Sequence, residues 1–199
     1  MRRRTFALGA GLPFLPGIHR YAFSQEPSEA DVAQANPGNR RILIDVPEAN
    51  SPRLRSAPRR PGLSNFADGA PELFEAIKAN EPDRGRQLFI PRAVFAAVKG
   101  ISDPHTLYDR IVRLFERDVA DLHETLGDDA ASATFDRFEF SRRRSWVELR
   151  EESNRLPYWA QRHNWIHYRV GEAERRFEVR TMISWGDQWY ITHLSEFRR

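Results

Sequence analysis

Many side chains in this sequence have types that suit acid–base chemistry, and His193, Asp136, Tyr108 and Tyr168 are the candidates taken from among them. An imidazole changes charge near neutral pH and can take or give a proton. Proton transfer next to a carbonyl needs a carboxylate base and a hydrogen-bond donor at the developing oxyanion, roles open to Asp136 and to either tyrosine. His193, Tyr108 and Tyr168 are also candidate ligand contacts, although a structural histidine with both ring nitrogens satisfied is the stronger reading of His193. His163 and His167 form an H-x-x-x-H pair, which on a helix would set two imidazoles on one face for a metal. The segment reads instead as a strand, where four residues span about 13 Å, so no metal site is expected. No Walker sequence, no G-x-G-x-x-G after a strand, no G-x-S-x-G elbow and no H-E-x-x-H occurs. No cofactor is therefore expected, and ATP use, dinucleotide binding and α/β-hydrolase chemistry lose their sequence support.

The elements that must position these residues divide at about Thr134. Before it, apolar residues recur at helical spacing. Asp68 to Pro71 reads as a helix start, followed by the stripe Leu73, Phe74 and Ile77, ending near Asn80. A short segment from Asp83 stops at Pro91, and Pro91 to Lys99 is closed by Gly100. Asp103 as N-cap with Pro104 at the first helical position opens the strongest helix. Its apolar face carries Leu107, Tyr108, Ile111, Leu114, Phe115, Leu122 and Leu126, and Gly127 ends it. After Thr134 the period becomes two, and all five tryptophans lie there. Strands are predicted at Phe135–Phe140, Ser145–Leu149, Trp165–Val170, Arg176–Trp185 and Gln188–Leu194. Asn154 to Trp159 reads as an insertion between strands. A three-residue loop, 186–188, would pair Trp185 with Trp189 and Ile183 with Ile191. Helices first and an antiparallel sheet of four to five strands afterwards define an α+β fold.

The 199 residues hold 31 Lys+Arg, 28 Asp+Glu and no cysteine. Disulfides, Cys-ligated zinc, iron–sulfur clusters and thiol catalysis are thereby excluded. Residues 1–24 carry Arg2, Arg3, Arg4 and Arg20 and no acid; without those four, 27 basic residues face 28 acidic ones. The basic excess belongs to that segment, and the remainder lacks a polyanion-binding balance. Arg142, Arg143 and Arg144 beside Trp146 mimic a nucleic-acid patch, but Glu148, Glu151 and Glu152 neutralise it. No nucleic acid partner is expected. Lys78 and Lys99 are the only lysines, an Arg bias that reads as bacterial base composition.

The basic head, short apolar middle and small-residue exit of residues 1–24 have the layout of a signal peptide. Arg3-Arg4-Thr5-Phe6-Ala7-Leu8 resembles the twin-arginine export signal, which implies folded export and a periplasmic or secreted location, with cleavage before Gln25. Residues 25–65 hold six of the thirteen prolines and one apolar run, Ile42 to Val46, and read as a flexible linker carrying the cluster Arg53, Arg55, Arg59 and Arg60. That cluster is either solvated or a contact to anionic lipid or envelope polymer.

Across residues 66–199, the element order and the terminal Arg176–Trp185, Gly186-Asp187, Gln188–Leu194 hairpin resemble the nuclear transport factor 2-like superfamily. Glu81-Pro82-Asp83 followed by Gln87–Pro91 is similar to its early helix and loop. The resemblance implies helices packed in the concavity of a curved sheet. It implies either a non-catalytic module binding a small hydrophobic ligand or a protein partner, including a homodimer through the sheet, or an isomerase, dehydratase or hydrolase-like enzyme.

Overall fold

The predicted apolar stripes become the buried faces of the helices, and the predicted strands become one sheet. The computed structural model describes residues 44–195, within a compact unit that begins at Ile42. The expected signal segment and the linker up to residue 43 lie outside the described residues. Helix α1 (Ser64–Ala79) buries Phe66, Leu73, Phe74 and Ile77 and ends at Asn80, whose φ of 54° is the left-handed conformation that stops a helix. Its start lies one turn before the expected Asp68 to Pro71. There the Asn65 side chain donates to the Trp189 carbonyl at 3.0 Å and accepts from the Trp189 N–H at 3.2 Å, so the terminal hairpin holds the extra turn.

Helix α2 (Pro82–Gly85) leads through a single 3₁₀ turn into α3 (Arg92–Val98). Helix α4 (Pro104–Leu126) is capped by Asp103, whose carboxylate accepts from the Thr106 N–H at 3.0 Å. Five antiparallel strands follow: β1 (Thr134–Glu139), β2 (Arg144–Val147), β3 (Tyr158–Val170), β4 (Ala173–Trp185) and β5 (Gln188–His193). Their order is β1-β3-β4-β5, with β2 pairing the first residues of β3 and β1 pairing the last. The helices lie against this curved sheet, an α+β fold. Bulges near Asp136 and between Thr181 and Met182, and a left-handed His163 at φ 61° inside β3, supply bends that flat pleating lacks. At His163 the strand alternation breaks, so Gln161 and Asn164, both fully buried, bond each other at 3.1 Å.

Two expectations for the sheet are corrected. Tyr158 and Trp159 are not part of an insertion; they open β3 and pair with Val147 and Trp146. The hairpin loop is Gly186-Asp187 alone, so Trp185 pairs with Gln188, Ser184 with Trp189, and Ile183 with Tyr190. Gly186 takes φ +60°, the positive first position of a two-residue primed turn, and that shorter turn decides the register over aromatic matching.

The segment 44–63, expected to be flexible linker, is laid along the sheet. Asn50 is fully buried. Its amide donates to the Pro157 carbonyl at 2.8 Å and to the Ser184 carbonyl at 3.4 Å, and its oxygen accepts from the Gly186 N–H at 2.8 Å. The Trp159 and Trp189 indoles donate to the carbonyls of Pro58 and Gly62 at 3.2 and 2.9 Å. Every residue from Met182 to Trp185 is buried, consistent with cover on both sides of this end of β4.

Candidate functional site

The four sequence candidates are held in separate surroundings, and their partners do not overlap among the described residues. Tyr108, on α4, donates its hydroxyl to the Ile90 carbonyl at 3.0 Å. Its ring lies 5.7 Å from Phe95 and 4.5 Å beneath the Arg92 guanidinium. Burial raises its pKa, against the pull of Arg86 and Arg92. Tyr168, on β3, stacks on Phe177 at 4.6 Å and faces Phe74 at 5.5 Å; burial raises it too, opposed by Arg175. Asp136 sits at the β1 bulge, paired with Arg137 and with Arg169 at 3.7 Å. Each of these three side chains has a structural partner that accounts for its position.

His163 and His167 are likewise engaged separately. His163 Nδ1 is 2.6 Å from Glu178 Oε1. His167 places its nitrogens 2.8 Å from Glu174 and 2.8 Å from Glu139. Among the described residues no group of three His, Cys, Asp or Glu is arranged to hold a metal ion.

Among the sequence candidates, His193 has the most perturbed setting. It lies at the end of β5 against α4, in a crevice of about 10 Å³ also lined by Ile111, Phe115, Asp118, Thr192 and Ser195. That is room for about one water. Burial pushes the imidazole down to about 4, assisted by the positive charge of Lys99 and opposed by Asp118 and Glu152. The ring is neutral at pH 7, with Nδ1 3.1 Å from Thr192 Oγ1.

Around it stand residues that the sequence reading did not single out. Asp118 is 5 % exposed and accepts from the Ser195 N–H at 3.1 Å and from Arg117 at 3.2 Å. Its signal was legible, since 118 falls seven residues after Ile111 on the buried face of an amphipathic helix. Lys99, just after α3, has its pKa lowered by burial, against Glu152. Glu152 accepts the Tyr158 hydroxyl at 2.8 Å and pairs with Arg162. The Tyr158 phenol is raised by burial and then by Glu152, so it stays protonated. A neutral imidazole, a depressed amine, a carboxylate and a protonated phenol thus gather near one end of the sheet. Perturbed groups of this kind mark candidate sites. Comparison with family models, curated proteins and solved structures found no match to this chain.

Proposed function

We propose that this chain is an exported bacterial protein whose domain, of the nuclear transport factor 2-like type, works as a non-catalytic binding or association module of the cell envelope. The observation that carries the reading is the filling of the interior by the protein's own rings. Phe74, Tyr168 and Phe177 stack where a hollow cone would admit a substrate, and the crevice at His193 has room for about one water. A groove of mixed apolar and charged lining lies outside instead. Trp146 and Trp159 pack edge to face at 5.6 Å, and Trp146, with Leu54, Leu149, Pro157, Arg55 and Glu148, borders an open groove of about 240 Å³. Strand β2 pairs only with β3 among the described residues, so its outer edge can accept a partner strand or a second copy of the domain. No helix among the described residues is long and apolar enough to cross a membrane.

The second reading, a small-molecule enzyme, rests on the grouping of Lys99, Glu152, Tyr158 and His193. Both are tested on protein recovered from the periplasm of a bacterial host. Sedimentation equilibrium and native mass spectrometry should show a dimer or a retained ligand, lost in Trp146→Ser. A bare monomer with turnover of enolisable ketones or activated esters, abolished by His193→Gln, would establish the enzyme instead. For the export arm, Arg3→Lys with Arg4→Lys should hold the precursor in the cytoplasm; periplasmic delivery of that variant overturns it.

A further inference from the structure

An open groove of about 780 Å³ runs beside the Gly186-Asp187 turn, and one wall is formed by Arg59, Arg60 and Gly62. Two features set this wall apart from a solvated arginine pair. The first is rigidity. The carbonyls at its two ends, Pro58 and Gly62, are held by the Trp159 and Trp189 indoles at 3.2 and 2.9 Å. Pro58 and Pro61 stiffen the backbone between those anchors, and Pro61 confines Arg60 to an extended conformation. The second is an unmet donor. Arg60 Nη1 is buried and has no hydrogen-bond partner. A buried charged donor without an acceptor is costly, and such groups in folded proteins mark a missing water, ion or ligand. Among the described residues, no carboxylate lies within ion-pair distance of Arg53, Arg55, Arg59 or Arg60, whereas Arg84, Arg86, Arg92, Arg137, Arg162 and Arg175 each have one.

We propose that the Arg59–Arg60 wall is a binding site for a phosphoryl group. Two adjacent guanidinium groups present more N–H donors than a carboxylate has oxygens to receive, and they match the several oxygens of a phosphate. Pre-organisation by the two indoles means that little backbone order remains to be imposed on binding. The opposing wall contributes one unfavourable charge, Asp187, whose carboxylate is 3.2 Å from Gln188 Nε2. This site shares no lining residue with the His193 crevice, and it stands whether the domain is a module or an enzyme.

The test titrates the full chain with inorganic phosphate by calorimetry and, in parallel, sediments it with vesicles of phosphatidylglycerol and phosphatidylcholine against phosphatidylcholine alone. The proposal expects saturable binding in at least one arm. It also expects a loss of roughly tenfold or more in Arg60→Gln, and tightening in Asp187→Asn. Binding to phosphate assigns a soluble or polymeric phosphate; binding only to the anionic vesicles assigns a lipid headgroup. Thermal melting checks that the variants fold: without anion Arg60→Gln should melt no lower than wild type, because it removes an unpaired buried charge. Phosphate should then raise the melting temperature of wild type and not that of the variant. Absence of saturable binding in both arms overturns the proposal. So does an Arg60→Gln affinity equal to wild type, or an equal loss in Arg53→Gln, which would mark unspecific charge attraction.

Discussion

Asn50→Ala removes a side chain whose three hydrogen bonds reach the loop before β3, strand β4 and the hairpin turn. Alanine leaves the Pro157 carbonyl and the Gly186 N–H, each bonded at 2.8 Å in the native protein, without partners; the 3.4 Å contact to the Ser184 carbonyl is too long to count equally. A buried backbone group stripped of its partner costs about 1–3 kcal/mol. Gly186 lies in a turn that water can reach in part, so its share belongs at the lower end. The sum is about 2–4 kcal/mol, a large fraction of the roughly 5–15 kcal/mol that stabilises a domain. Urea unfolding followed by tryptophan fluorescence should show the midpoint falling with the slope retained. A change within about 0.5 kcal/mol, the ordinary range of surface substitutions, would refute the anchoring of residues 44–63 and restore the flexible linker.

Two further outcomes follow from strand β5. The imidazole of His193 is pushed from its usual 6.5 to about 4 in the folded protein, so its stabilising contribution is complete above about pH 6.5 and is lost as pH falls toward 4. The loss is up to about 3 kcal/mol, and denaturation midpoints at pH 7 and pH 4.5 should converge in His193→Gln; an unchanged acid dependence in that variant contradicts it. Trp189→Ala should cost about 3–5 kcal/mol for a fully buried indole, and Trp189→Phe about 1–2 kcal/mol for the stranded Gly62 carbonyl; wild-type midpoints in both would refute the packing.

What was legible in the sequence was whatever depends on local period and punctuation. Asp103-Pro104 starts α4 and Gly127 ends it, because an N-cap and a positive φ are properties of single residues. The five strands were placed by alternation and aromatic enrichment. The failures have long-range causes. Residues 44–63 carry little apolar surface, so no periodicity announces them; they are held by Asn50 and by their Pro58 and Gly62 carbonyls, whose indole donors Trp159 and Trp189 lie in another part of the chain. The Trp185–Trp189 pairing was inferred from side-chain likeness, while the register is governed by a Gly at φ +60° in a two-residue turn. The candidate site fared less well. His193 was found as an isolated imidazole, but Asp118, Lys99 and Glu152 come from three elements and are unremarkable alone, an acid and a lysine in an amphipathic pattern and a glutamate in an acidic loop. Only the fold assembles them.

The anchoring of residues 44–63 also dictates an order of events during synthesis. Asn50 bonds partners 107 and 134 residues later, and the carbonyls of Pro58 and Gly62 await indoles 101 and 127 residues downstream. These contacts close the longest loops in the domain and should form late, since non-local closures slow folding. The segment therefore lacks its Gly186 and Trp189 anchors until the Gly186-Asp187 turn and Trp189 have left the ribosome, while its Pro157 and Trp159 anchors precede them. A chain truncated before β5 would leave the Gly62 carbonyl and Asn65 without their Trp189 partner, so its proline-rich stretch would be only partly anchored. Full attachment of the earliest described residues thereby reports that β5 has been made, a signal carried by the polypeptide itself.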